Sequence, residues 1–238
     1  MAVSLNRRFD VTKTQVMRQL RATGKAQTRK TYRNHGIQGD LFGTSFAEIG
    51  KLRRAIKMDQ TLAEQLWATA NYEARTLATM IADPTQMTGA KLKTWAADLE
   101  DRHLAGALSN LAAESAAARS LTKQWTSSHS EALACCGWHT LASLARADND
   151  LDNAYFVEYL GKLESRIDSS ANYAKYAMNN ALINIGVRNP QLERRAVAAA
   201  KRIGKVDVDH GATSCKTPDA VAYIKKTVAY NQAKAARS

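Results

Sequence analysis

Cys135 and His139 stand four residues apart, so on a helix they share a face and offer two ligands of the kind that bind zinc. Two ligands do not close a site, and Cys, Ala and Gly surround them in an apolar segment. They read as small core residues, and no metal is expected. A second cluster lies in VDVDHGATSCKTPDA, where Asp209, His210, Cys215 and Lys216 offer a nucleophile, a base and a cation. One polar segment between two helices supplies all four, with no oxyanion donor beside them. A structural loop, a phosphate contact and a small active site stay open as readings of it. A third stretch, RNHGIQGDLFGTSFAEIGK, holds four of the chain's twelve glycines and ends in Gly-Lys. A nucleotide-cradling loop needs four residues between its glycines and a Ser or Thr after the lysine. Here six residues separate Gly43 from Gly50, Leu52 follows Lys51, and no β-branched run precedes as a strand. HExxH, CxxC and Gly-x-Ser-x-Gly are absent. The glycines therefore read as a turn between helices, one that lets backbone approach phosphates closely.

Charge is the stronger signal. The 238 residues carry a formal net charge of +12, and it is distributed in blocks. Residues 1–57 hold 13 Lys/Arg against 3 Asp/Glu, residues 58–187 hold 10 against 15, and residues 188–238 hold 11 against 4. Two basic ends around an acidic middle suit a polyanion gripped from two sides, with solvated helix faces as the plain alternative. In AQTRKTYRNHGIQGDLFG, Arg29, Lys30 and Arg33 interleave with Tyr32, Asn34 and His35, the mixture that takes phosphates, sugars and bases. In PQLERRAVAAAKRIGK, Arg194, Lys201 and Lys205 form one row, and Arg195 and Arg202, with Arg188 just before the stretch, form a second beside it, while Leu192, Val197, Ala199, Ala200 and Ile203 fall largely elsewhere. The N-terminus lacks the apolar region of a signal peptide, and no apolar run approaches eighteen residues. Three cysteines, two of them adjacent, make no disulfide framework. A cytoplasmic protein is expected.

These residues must be positioned by helices. Ser45 with Glu48 and Ser128 with Glu131 have capping-box spacing, and Asn189-Pro190 and Thr217-Pro218 put a capping side chain before a proline. Between them apolar residues recur at helical spacing, as in Leu66, Ala70, Leu77, Met80 and Ile81. Eleven or twelve helices and no sheet are predicted. Trp67, Trp95 and Trp125 recur at intervals of 28 and 30 residues, each followed six residues later by an acid, Glu73, Asp101 or Glu131, and then by a Leu/Ala-rich helix. A fainter fourth copy starts near Leu163. Units of two helices cannot bury their apolar faces alone and must stack. The predicted fold is an all-α solenoid of HEAT-like helical repeats, curved with a concave basic face. It is read as one domain over 1–238, with basic helices and the glycine loop at 1–57, repeats at 58–187 and basic helices at 188–238. The tryptophans read as repeat core.

From about residue 15 to 232 the chain resembles the HEAT-like-repeat DNA alkylation repair proteins, whose active members are DNA glycosylases for positively charged alkylpurines. The likeness is carried by TYRNHGIQGDLFGTSFAEIGKL, LWATANYEARTLATMIAD, WAADLED and ALINIGVRNPQLERRAVAAAKRIGKVDVDHGATSCKTPDA. Active members place a Trp-Asp-x-x-Asp run after the WAxDL segment, its last Asp stabilising the cation that forms at the sugar. Those positions here read Arg102-His103-Leu104-Ala105-Gly106, the family's Arg in the next repeat falls at Cys135, and a Trp of the following one falls at Asn180. Only Tyr32 keeps its aromatic counterpart. The resemblance thus implies binding of duplex DNA more directly than glycosylase chemistry, since no carboxylate offsets oxocarbenium charge. Expected DNA contacts are Arg29, Lys30, Tyr32, Arg33, Asn34, His35, Arg188, Lys201, Arg202, Lys205 and Lys216. An active glycosylase with relocated carboxylates would use Asp98, Glu100 or Asp101, and a repeat scaffold for an acidic protein is a third reading. A monomer is expected, with no cofactor and no membrane.

Overall fold

The computed structural model describes residues 11–99, 101–148 and 150–237. All regular structure among them is helical. The chain forms two compact units, one made of the chain up to Arg33 together with Gly39–Asp83, the other of Asn34–Gln38 together with everything from Pro84.

In the first unit α1 (Lys13–Thr23) begins at a Thr12–Gln15 capping box and buries Val16 and Leu20. Next come α2 (Ala26–Asn34), α3 (Phe46–Ile56), α4 (Gln60–Trp67) and α5 (Tyr72–Ile81). Ser45 caps α3 as its spacing predicts, and Asp59 and Asn71 cap α4 and α5. Helix α5 is buried over most of its length and packs on α1, α3 and α4.

The glycine turn is held by a carboxylate. Glu73, the acid of the first repeat, is fully buried and accepts from the backbone N–H groups of Phe42 at 3.1 Å, Gly43 at 2.6 Å and Thr44 at 3.0 Å. Gly43 has φ +84°, and a Cβ there would lie 2.4 Å from the Lys25 carbonyl, so a side chain fails on conformation and on space. The Thr44 hydroxyl donates to the Leu20 carbonyl, and the Thr44 carbonyl accepts from the Tyr32 hydroxyl at 2.7 Å. One turn thus ties α1, α2 and α5 together.

The second unit contains α6 (Gly89–Ala97), α7 (Arg102–Glu114), α8 (Ala118–Trp125), α9 (Glu131–Ala147), α10 (Asn153–Arg166), a 3-10 turn (Ile167–Ser169), α11 (Asn172–Gly186), α12 (Pro190–Ile203) and α13 (Ala220–Ala235). Thirteen α-helices among the described residues exceed the predicted eleven or twelve. One added break falls in the Ala-rich run at Ser115, whose hydroxyl folds back on the Ala112 carbonyl. Helices α6 with α7, and α8 with α9, are the helix pairs that the tryptophan repeat predicts. The second helices stack, α9 lying between α7 and α11. Helix α9 is buried nearly all round, which is why ALACCGWHTLASLA shows no polar face. Trp67, Trp95 and Trp125 are buried repeat core.

Two predicted caps differ. Ser128 makes no capping box with Glu131: its hydroxyl accepts from the Ser130 N–H, and Ser130 stands at the start of α9. Glu131 instead accepts from the Tyr173 N–H at 2.6 Å and pins the first turn of α11 to that of α9. After Pro218 the chain runs on, and Asp219 caps α13 in place of Thr217.

Glu73→Gln replaces an acceptor oxygen by an amide whose hydrogens face backbone N–H groups, inside a site closed to water. The variant is expected to lose about 3 kcal/mol in urea unfolding and to speed amide hydrogen exchange at Phe42, Gly43 and Thr44. A wild-type urea midpoint would show that the carboxylate is dispensable.

Candidate nucleic-acid interface

Arg29 and Lys30 are exposed on α2, with Arg33 exposed near its end and Asn34 after it. Tyr32, on the same helix, faces the other way. It is buried edge-on to Phe46 and Tyr72, at ring centroid distances of 5.9 and 5.2 Å. Burial, helped by the charge of Glu73, pushes its phenol up to about 12. Tyr32 is therefore core, because it is the large apolar residue that α2 has for its inner stripe. Gly43 does not offer its amide to phosphate either, since Glu73 already occupies it together with those of Phe42 and Thr44.

The C-terminal cations do not form the two rows that spacing suggests. Arg188 is half-buried over the Phe156 ring, its guanidinium donating to the Ala145 and Leu151 carbonyls at 3.0 Å each. Arg202 forks onto the Glu164 carboxylate, with its second bond at 2.9 Å, and Lys205 lies 3.5 Å from Asp207. Arg194, Arg195 and Lys201 are exposed along α12, and Lys216 is exposed in the loop before α13. Of the carboxylates offered as catalytic, Asp101 is the N-cap of α7, accepting from His103 and Leu104 N–H at 2.8 and 2.9 Å. Asp98 closes α6 at the surface. Glu100 lies outside the described residues.

Sequence reasoning missed a groove of about 690 Å³ between α9, α11 and α13. Arg146, Asn180, Asn184, Tyr223 and Asn231 line it. Tyr223 and Tyr230, seven residues apart on α13, are 50% and 67% exposed with Lys226 between them in sequence. An aromatic pair at helical spacing beside lysines was the available signal.

It also missed a convergence of histidines. A second cavity in the same unit, about 280 Å³, is lined by His35, His103, His139 and His210. Arg102, Gly106, Tyr173, Tyr176 and Cys215 complete it. These residues come from five distant stretches of sequence. The loop carrying His210 is fixed by a reciprocal pair, Asn172 Nδ2 to the Asp209 carbonyl and Asp209 N–H to Asn172 Oδ1, each 2.8 Å. His210 Nε2 meets Thr217 Oγ1 at 3.0 Å, so this ring is held by the loop's own threonine. His35 and His103 meet edge to face at 5.5 Å, and Arg102 stacks over Tyr173 at 4.2 Å. Burial, Arg102 and His35 push His103 down to about 4, against a hydrogen bond with the His35 backbone that acts the other way. Burial, Arg146 and His103 push His139 down to about 4. Both rings are neutral near pH 7. Cys135, one turn before His139 on α9, has its thiol raised to about 12 by burial, and Cys136 is raised as well. Among the described residues no three or more His, Cys, Asp or Glu are grouped to hold a metal ion, and no helix is long and apolar enough to cross a membrane.

Residues 16–224 match the family described as DNA alkylation repair enzyme. The chain belongs to that family. It is 28% identical over 222 residues to an uncharacterized protein of Listeria innocua serovar 6a and equally to one of Listeria monocytogenes serovar 1/2a, each comparison covering 91% of this chain and 97% of the other. A solved structure described as a new family of proteins related to the HEAT-like repeat DNA glycosylases with affinity for branched DNA structures aligns with a TM-score of 0.84 at 29% identity. That alignment covers 92% of this chain and 95% of the other. The fold is accordingly of the HEAT-like repeat type.

Two measurements probe this site. Unfolded histidine takes up a proton below about pH 6.5 while His103 and His139 in the folded chain wait until about pH 4. Stability is therefore lost as pH falls from about 6.5 toward 4 and levels off below. His103→Gln with His139→Gln should remove that component, on the order of 2 kcal/mol per ring, so that the stability gap between wild type and variant narrows on acidification. A gap constant from pH 7 to 4 would exclude neutral buried rings. In the native protein a thiol reagent is expected to label Cys215, which is exposed, and to spare the buried Cys135 and Cys136 until denaturant is added.

Proposed function

We propose that this chain is a DNA-binding member of the DNA alkylation repair family that recognises branched or otherwise distorted duplex DNA and does not cleave N-glycosidic bonds. The observation that carries the reading is the content of the histidine cavity. At the positions where the family resemblance places Trp-Asp-x-x-Asp, the cavity receives Arg102, His103 and Gly106, and no carboxylate among the described residues lines it. Oxocarbenium charge would develop there beside a guanidinium instead of an acid. Support for DNA itself comes from family membership, from the exposed Arg29 and Lys30 on α2 and Arg194, Arg195 and Lys201 on α12, and from the likeness to a structure described as having affinity for branched DNA. Exposed Tyr223 and Tyr230 and the asparagine-lined groove add rings and amides of the kind that meet unstacked bases and sugars.

Binding should weaken with salt at a slope of about −0.9 per phosphate neutralised. Arg29→Glu with Lys30→Glu should weaken binding to a four-way junction and to linear duplex at least about tenfold, equivalent to about 1.4 kcal/mol. Arg202→Ala should change it less, because that guanidinium is already engaged by Glu164. Wild type should bind the junction more tightly than the duplex and release no 7-methylguanine or 3-methyladenine from methylated DNA. Salt-independent binding would remove the polyanion reading, and base release above background would restore the glycosylase.

A further inference from the structure

Side chains that line the histidine cavity carry polar atoms without partners. Among the described residues, the buried side-chain atoms without a hydrogen-bond partner include His35 Nδ1, Arg102 Nε and His103 Nε2, and all three belong to side chains lining this one cavity. A buried polar atom left unpaired costs about 1–3 kcal/mol, so three at one place point to a guest that satisfies them. Arg102 Nε–H can only donate. The ring of His139 is oriented by a chain of amides: Asn184 Nδ2 donates to Asn180 Oδ1 at 3.1 Å, which turns Asn180 Nδ2 toward His139 Nδ1 at 3.2 Å. His139 Nδ1 then accepts, and its Nε2 carries the hydrogen. The cavity thus offers donors and acceptors side by side.

Its walls are flat. Tyr173, Tyr176 and the four imidazoles supply π surfaces, while Gly106 on α7 opens the floor, with no atom within 4 Å of where its Cβ would stand. Flat walls with mixed polar edges suit a planar heterocycle better than a phosphate, which would need several converging cations. Among the described residues the one guanidinium lining the cavity lies over Tyr173, and no acid lines it to balance a positive guest.

We infer that this cavity is a pocket for a single unpaired, uncharged nucleobase of bound DNA, with His35, Arg102 and His103 reading its hydrogen-bonding edge and Tyr173 and Tyr176 packing against its ring. The inference rests on the DNA-binding reading and deepens it. It also inverts the preference that the family resemblance implies, since a cationic alkylpurine meets Arg102 in place of a carboxylate.

The test compares duplexes that carry either a one-nucleotide bulge or the same bulge lacking its base. Wild type is expected to prefer the base-bearing bulge by about tenfold. Gly106→Leu should abolish that preference while retaining helical circular dichroism, because leucine favours helix and its side chain grows into the cavity. His103→Ala should reduce the preference without filling the space. Equal affinity for the two bulges in wild type, or a preference that survives Gly106→Leu, would overturn the pocket while leaving DNA binding intact. Failure to bind any DNA at low salt would instead remove the DNA-binding reading. In that case guanosine titrated into the protein decides the pocket, with the imidazole carbon–proton NMR signals as readout. Shifts confined to His35, His103, His139 and His210 uphold it, and none overturn it. Cationic 7-methylguanosine should shift these signals at least about tenfold less readily than guanosine; equal response would overturn the charge selection.

Discussion

Carboxylates that accept backbone N–H groups organise this chain. The acid that follows each repeat tryptophan by six residues does so in all three copies: Glu73 from Phe42, Gly43 and Thr44; Asp101 from His103 and Leu104; Glu131 from Tyr173. Helix starts and tight turns present unpaired N–H groups that cannot be buried unsatisfied, and an anion is their strongest partner. The use differs with reach. Asp101 caps its own helix, Glu131 staples neighbouring helices, and Glu73 closes a turn that three helices share. A sequence feature resembling an anion-binding loop is thus one, with its anion supplied by the protein.

The same constraint explains what is left open. Where amides, carbonyls and carboxylates satisfy one another, as around Thr44, no ligand has purchase. Where the chain leaves His35, Arg102 and His103 atoms buried without partners, the structure holds polar capacity in reserve around a cavity. Arg102 and Arg188 show how context decides the role of one side-chain type. Arg188 gives its hydrogens to two carbonyls and serves packing, whereas Arg102 keeps Nε unpaired while its face covers Tyr173.

A pocket lined by histidines and a guanidinium selects its guests differently from one that holds an acid. A carboxylate in a pocket attracts cations; neutral imidazoles beside a guanidinium do not, and they present both donor and acceptor edges. A repeat scaffold that keeps its surface cations while exchanging its pocket groups can retain DNA contact and change what it reads. The exposed tyrosines of α13 fit that shift, since rings answer to unstacked bases more than to intact duplex.

Helix content, the tryptophan repeat and the caps at Ser45 and Asn189 were legible in sequence, because 3.6-residue periodicity and capping are local and each signal lies within a few residues of what it controls. Charge blocks were legible as composition, but not which cations stay exposed: Arg188, Arg195 and Arg202 share a spacing, yet only tertiary neighbours put Phe156 under the first and Glu164 beside the last. Tyr32 misled for the same reason, since an aromatic among cations reads as a contact until Thr44 and Tyr72 are seen to cover it. The four histidines were judged separately: His35 as an N-terminal contact, His103 as a departure from the family's motif, His139 as core and His210 as a loop residue. Sequence alone determined that the chain folds as stacked helix pairs with basic ends, because burial of apolar stripes leaves little choice. Only the tertiary structure decided that residues 35, 103, 139 and 210 meet, because convergence across 175 positions is set by helix stacking and leaves no periodic trace in the chain.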